Sequence, residues 1–213
     1  MANITQTATT PNEKQPLQVV FVLGPPGVGK GTICKRLAQD FGWYHLSVGD
    51  YLRELVNSTT QLPVAQCGGM CSDELLAHLK AEKSVQGKTI AAIVEHKIFV
   101  IQEQGFDHIF IDGYPRQKQS TELFDETFGR PIEIVWFGCV KSTAKARSMG
   151  CKRGADDDEV LESRYAEFLE NNRVIEHHYD VLMQIVNTDG EREESYVRVK
   201  AALSKLLSGT TVR

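Results

Sequence analysis

The sequence has no long apolar stretch. Its 213 residues contain no uninterrupted apolar run of about 18, the length that a membrane-spanning helix needs. The first 16 residues hold no apolar core like that of a signal peptide, and they are rich in Thr, Asn, Gln and Pro. We therefore expect a flexible tail over residues 1–16, a cytoplasmic location and no membrane partner.

A concentration of positive charge is also lacking. The chain has 24 Lys and Arg residues and 28 Asp and Glu residues, which gives a net charge of −4, and the two signs are mixed along the sequence. Proteins that bind nucleic acid usually carry a basic patch or stripe. The composition therefore argues against nucleic acid as a partner.

Cysteine is scarce, and its five residues are an odd number. In a chain expected in the cytoplasm, an odd count indicates reduced thiols. Cys67 and Cys71 form the segment CGGMC, but zinc usually takes four ligands and no second pair follows at a suitable spacing. We interpret this segment as a glycine-rich loop rather than a metal site.

Short apolar runs alternate with helical stretches along the rest of the chain. This alternation predicts an α/β fold in one main domain over residues 17–213, with ligands bound at the carboxyl ends of parallel strands. The predicted strands are 17–23, 44–46, 108–111, 132–137 and 183–186. The predicted helices are 32–40, 73–83, 89–104, 158–178 and 193–207.

The first predicted strand runs into Gly24–Thr32, with the sequence GPPGVGKGT. Glycines at these positions let backbone N–H groups point inward, and the N-terminus of the following helix attracts anions. Lys30 can reach the outer phosphates of a nucleotide. Gly31 separates the lysine from Thr32, which departs from the strict Walker pattern. The segment predicts a phosphate-binding loop.

A second segment, IFIDGYPR, places Asp112 at the end of the third predicted strand, with Arg116 four residues later. A carboxylate at this point can hold Mg²⁺ or its waters beside the phosphate loop. Asp before Gly is also common in turns. The presence of a phosphate loop favours the functional interpretation.

A third segment, LSVGDYLREL, follows the second strand. We expect a turn at Gly49 and Asp50 and then a helix with Arg53 in its first turns, where the arginine could bind phosphate. The alternative is a surface arginine that pairs with Asp50 or Glu54 at helical spacing.

Three further arginines, Arg147, Arg153 and Arg164, flank the acidic residues 156–158. Guanidinium groups bind phosphate oxygens in bidentate fashion while charge spreads over a transferring phosphoryl group. The alternative is a solvated face whose acidic residues favour the start of the helix near Asp158.

Taken in chain order, GPPGVGKGT, HLSVGDYLR, IDGYPR and the arginine cluster resemble the nucleoside monophosphate kinase family, in its adenylate kinase and UMP/CMP kinase branch. The resemblance covers residue 17 to about residue 190. It implies the P-loop NTPase fold, a three-layer α/β/α sandwich with a central five-stranded parallel sheet. It also implies a small helical acceptor-binding insertion at about 47–104 and a short lid at about 147–158. We expect a monomer.

The resemblance carries roles over to matching positions. ATP would be bound by Arg147, by Gly190 in the loop that meets adenine, and by the phosphate loop, which comprises Gly27, Val28, Gly29, Lys30, Gly31 and Thr32. Mg²⁺ would be held by Thr32 and Asp112 through water. The acceptor would be bound by Arg53, Arg116, Val48, Val85, Gly113, Tyr114, Ser120, Arg153 and Arg164. Catalysis would involve Lys30, Asp112, Arg116, Arg147, Arg153 and Arg164.

The implied reaction moves a phosphoryl group from ATP to a nucleoside 5′-monophosphate. Ser120 stands where adenylate kinases carry Gln and UMP/CMP kinases carry Asn, and Val48 stands where they carry Thr and Ala. Both changes weaken adenine recognition, so UMP or CMP is the expected acceptor, with adenylate kinase as the alternative. Ala155 stands where the family normally has Asp, which leaves open a catalytically impaired nucleotide-binding regulatory protein. A kinase for another small molecule is a further possibility.

Overall fold

The computed structural model describes residues 16–57, 72–80, 85–150 and 158–209. In this part of the chain, five parallel strands form one sheet in the order β2-β3-β1-β4-β5. The strands are β1 (Gln18–Leu23), β2 (Tyr44–Ser47), β3 (His108–Asp112), β4 (Glu133–Gly138) and β5 (Met183–Asn187). All five predicted strands are confirmed, with ends that differ by one residue at most.

Helices connect the strands. They are α1 (Lys30–Phe41), α2 (Val48–Asn57), α3 (Ser72–Lys80), α4 (Gly87–Glu103), α5 (Lys118–Phe128), α6 (Lys141–Gly150), α7 (Asp158–Tyr179) and α8 (Arg192–Gly209), with a short 3₁₀ helix at Asp180–Leu182. The sequence did not predict α5 or α6. In α5 the buried residues include Ser120 and Thr121, and in α6 Ala144 is buried. Neither helix therefore shows a clear apolar stripe.

The expected turn at Gly49 and Asp50 is wrong, because α2 begins at Val48 directly after β2. The backbone N–H of Asp50 lies 3.4 Å from Oγ of Ser47. Ser47 thus caps the helix in the position that serine favours, and Asp50 adds negative charge to the first turn. These two side chains begin the helix without a loop.

The sheet is covered on both faces. Alternate residues of a strand point to opposite faces. Phe21 of β1 packs with Phe124 of α5 and Tyr179 of α7 on one face, whereas its neighbour Val22 belongs to the cluster that contains Leu37 of α1 on the other. The three-layer sandwich is confirmed. No helix in the described ranges combines the length and apolarity needed to span a membrane.

A smaller apolar cluster joins the helices between β2 and β3. It contains Leu55 of α2, Leu75 of α3, Ile93 of α4 and Val85, which precedes α4. This cluster holds α2 and α4 together beside the carboxyl ends of the strands. Of the tail expected at residues 1–16, all but Pro16 lies outside the described residues.

Candidate active site

The loop between β1 and α1 is shaped by glycines with positive φ. The values are 145° at Gly24, 81° at Gly27 and 97° at Gly29. Nζ of Lys30 donates hydrogen bonds to the carbonyl oxygens of Gly24 at 2.8 Å and Pro25 at 3.0 Å. The ammonium group is therefore positioned by the loop on which phosphates are expected to bind.

Gly27 is the tightest point of this loop. A Cβ at this position would lie 2.1 Å from the backbone oxygen of Ala144 in α6. At Gly29 φ is also positive, but a Cβ added there would meet no neighbouring atom within 4 Å. Close contact between the loop and α6 therefore requires glycine at 27, whereas at 29 only the backbone conformation favours it.

We expect Gly27→Ala to lower the free energy of unfolding by about 2 kcal/mol or more and to abolish tight ATP binding, because both the backbone conformation and the contact with α6 must change. Gly29→Ala is the matched control, because alanine there strains the backbone conformation but contacts no neighbouring atom. Chemical denaturation and ATP titration of the two variants measure the difference. Equal stability of the two variants would contradict this account.

Five charged groups lie near the carboxyl ends of β1 and β3, namely Lys30, Asp112, Arg116, Arg164 and Arg53. Burial lowers the pKa of Lys30, Asp112 acts in the opposite direction, and Arg116 and Arg164 lower it further. Loss of solvation likewise lowers the pKa of Arg116, followed by repulsion from Arg164, with a smaller effect of Arg53 in the same direction. The structure thus brings together residues of the phosphate loop, β3, α2 and α7 that are far apart in sequence.

Asp112 ends β3 and is only 7% exposed. Its Oδ2 lies 3.8 Å from Nε2 of His45, and that buried nitrogen has no hydrogen-bond partner within the described residues. Parallel pairing of β2 with β3 places Ser47 opposite Asp112. The sequence did not indicate a role for His45. Its position two residues before Ser47, on a strand next to β3, was the available signal.

A cavity of about 430 Å³ opens beside this point, between the start of α1, β2 and α2. Its lining includes the hydroxyl-bearing residues Thr32 and Ser47 and the carboxylate of Asp50. Oxygen ligands of this kind suit a hard divalent cation.

Two arginines stand on the acceptor side. Nε of Arg116 donates to the carbonyl oxygen of Gly113 at 2.9 Å, so the guanidinium folds back over the loop after β3. Arg53 forms an ion pair with Asp50, and its side chain is 56% exposed. The surface pairing considered for Arg53 is therefore present. Arg53 also makes a small contribution to lowering the pKa of Arg116.

Arg147 links two loops on the donor side. Its guanidinium donates to the carbonyl oxygens of Val28 at 3.2 Å and Gly190 at 2.6 Å. One side chain of α6 thus connects the phosphate loop with the loop after β5.

Four of the other predicted acceptor residues are buried. Exposed fractions are 3% for Val48, 8% for Val85, 1% for Tyr114 and 2% for Ser120. Oγ of Ser120 donates to the carbonyl oxygen of Gly87 at 3.1 Å, and the Tyr114 hydroxyl donates to the carbonyl oxygen of Ser120 at 2.8 Å. The Ser120 hydroxyl proton is therefore used to join α5 to α4.

Comparison with known proteins agrees with this arrangement. Residues 22–183 match the family described as adenylate kinase. The chain belongs to the adenylate kinase family. It is 31% identical to UMP-CMP kinase 3 of Arabidopsis thaliana, over 87% of this chain and 89% of the relative. It is 30% identical to UMP-CMP kinase of Lentinula edodes, over 91% and 88%. It is 28% identical to uridylate kinase of Schizosaccharomyces pombe, over 84% and 92%.

Membership in the adenylate kinase family confirms the predicted enzyme class. The protein is a nucleoside monophosphate kinase with ATP as phosphoryl donor. The P-loop NTPase fold implied by the family resemblance is confirmed as well.

Some of the residues that the sequence motifs selected are not among those that the structure describes. They include Arg153 and Ala155 of the expected lid, and Cys67 and Cys71 of the CGGMC segment. Their expected roles stay predictions.

Proposed function

We propose that this kinase transfers the γ-phosphoryl group of ATP to UMP or CMP. The observation that carries the proposal is the chemistry at two positions of the acceptor site. Val48 is apolar and buried, and the buried Ser120 hydroxyl donates its proton to the Gly87 carbonyl. Neither of these two positions offers adenine a free hydrogen-bond donor, and a polar edge left unpaired there costs about 1 to 3 kcal/mol. The names of the relatives, UMP-CMP kinase and uridylate kinase, support the same choice.

In this proposal, the acceptor phosphate is bound by Arg53 and Arg116, which lie near each other on separate elements of the site. Val48, Val85, Gly113, Tyr114 and Ser120 form the walls around its nucleoside. On the donor side, Gly27–Thr32 enclose the phosphates of ATP, while Arg147 and Gly190 hold the adenosine end. The link between Arg147 and both loops supports this division of roles.

Catalysis then follows from positioning and charge. Phosphoryl transfer passes through a loose transition state with charge spread over the equatorial oxygens, so the protein needs fixed cations rather than a covalent nucleophile. Lys30, Arg116 and Arg164 supply such cations, and the two arginines are near enough to Lys30 to lower its pKa. Arg147 and Arg153 complete the proposed set.

We further propose that Thr32 and Asp112 hold Mg²⁺ through water. The residues fit this ion, because the buried Asp112 carboxylate and nearby hydroxyl groups offer the oxygen ligands that it prefers. When bound, Mg²⁺ would neutralise charge on the phosphates of ATP. Asp112 keeps that position through its place at the end of a central strand, where the β2 and β1 neighbours fix the backbone.

Closure of a short lid at about 147–158 over the acceptor-binding part at about 47–104 would exclude water, which would otherwise hydrolyse ATP. The residue ranges of the lid and of the acceptor-binding part belong to this proposal. The monomeric state and the cytoplasmic location also stay predictions.

Steady-state kinetics with AMP, UMP, CMP, GMP and their deoxy forms at fixed ATP test the proposed acceptor. We expect the largest kcat/KM with UMP or CMP. A larger kcat/KM for AMP than for both pyrimidines would contradict the pyrimidine assignment and leave the kinase assignment intact. Omission of Mg²⁺ in the same assay should remove turnover.

A further inference from the structure

Gln117, the residue directly after Arg116, lies against Gly87 at the start of α4. A Cβ on Gly87 would be 2.7 Å from Oε1 of Gln117 and 3.1 Å from Oγ of Ser120. The missing side chain of Gly87 therefore leaves the room that the Gln117 carboxamide occupies. This places an amide group beside Ser120, where the beginnings of α4 and α5 meet.

The two side chains at this junction differ in what they can still bind. Ser120 is 2% exposed, and its hydroxyl proton is engaged by Gly87. Gln117 is half-buried, and its side chain does not cap α5. Within the described ranges, no residue forms a hydrogen bond with its carboxamide. Gln117 therefore keeps both a donor and an acceptor for a ligand, whereas Ser120 does not.

We propose that the Gln117 carboxamide, seated over Gly87, recognises the base of the acceptor nucleotide. This inference rests on the proposed function and assigns base recognition to a residue outside the predicted acceptor set. Arg116, the proposed phosphate-binding residue, immediately precedes Gln117. The two ends of one nucleotide would thus be recognised by consecutive residues at the start of α5.

The chemistry of a carboxamide suits an enzyme that accepts two pyrimidines. Its NH₂ group donates and its carbonyl oxygen accepts, side by side. Uracil offers an acceptor at O4 and a donor at N3, whereas cytosine offers a donor at its 4-amino group and an acceptor at N3. Rotation of the amide exchanges its donor and acceptor, so the same glutamine pairs with either base. Adenine presents the same amino donor and ring-nitrogen acceptor as cytosine, so discrimination against AMP rests on Val48 and Ser120 rather than on Gln117.

Gln117→Leu tests the proposal, because leucine has a similar volume and no hydrogen-bonding group. We expect kcat/KM for UMP and CMP to fall by about 10- to 100-fold, with the KM for ATP changed by less than about twofold. Gln119→Leu is the matched control, since Gln119 lies two residues further along and is exposed. Gly87→Ala should act in the same direction as Gln117→Leu, because the added methyl group displaces the amide.

A UMP analogue methylated at N3 separates recognition from a structural role. Methylation removes the donor that Gln117 would meet, so it should lower kcat/KM strongly for the wild type and little further for Gln117→Leu. An equal additional loss in both proteins would contradict the proposal. The proposal would also be contradicted if Gln117→Leu lowered kcat/KM equally for every acceptor and lowered the thermal stability as well.

The wild type, measured alongside, distinguishes the two claims. A wild-type preference for AMP contradicts the proposed function whatever the variant does. A wild-type preference for UMP and CMP, with kcat/KM unchanged in Gln117→Leu, contradicts the role of Gln117 alone.

Discussion

Lys30→Ala should fold normally and lose at least about 10²-fold in kcat, because it removes a cation that stabilises the transferring phosphoryl group. The ammonium group also donates to the carbonyl oxygens of Gly24 and Pro25. Loss of these bonds costs about 1 kcal/mol of stability, which is a small fraction of the total for a domain of this size. Activity should therefore fall far more than stability.

A coupled assay for ADP, together with thermal unfolding, measures both effects. Lys205→Ala is the control, since Lys205 is an exposed residue of α8. Retention of more than about a tenth of wild-type turnover by Lys30→Ala would show that the loop does not have its assigned role.

Arg116→Lys should be nearly as severe although it conserves charge. An ammonium group cannot reproduce the planar, bidentate contact of a guanidinium with phosphate. It also cannot make the Nε contact with the Gly113 carbonyl that now orients the side chain. We expect kcat/KM for the acceptor to fall by about 10²-fold, with a much smaller change in the KM for ATP.

Arg173→Lys is the matched control, because Arg173 is exposed on α7. Initial rates at varied acceptor and saturating ATP give the comparison. Near-normal kcat/KM in Arg116→Lys would show that this residue serves only the loop after β3.

The electrostatics of Lys30 illustrate what the sequence left open. Its place after the glycines predicted contact with phosphates, but its neighbours Asp112 and Arg164 come from β3 and α7. Their proximity follows from parallel pairing of β1 with β3 and from packing of α7 on the sheet. A linear motif does not encode such distances.

The amino-acid sequence by itself determined the phosphate loop, the five strands and the order of the motifs, because glycine conformation, apolar runs and residue type act over short stretches of chain. It did not determine α5 and α6, whose inner faces include buried Ser120, Thr121 and Ala144. Those helices are stabilised by packing against the rest of the fold.

Tertiary structure alone decided how the acceptor side is arranged. It brought His45 to Asp112 and joined Ser120 to Gly87 across two helices. These contacts link segments that pack against one another only after the sheet has formed. Which polar group stays available to a nucleotide base depends on them, because a hydroxyl proton already engaged by a buried carbonyl cannot also be donated to a ligand.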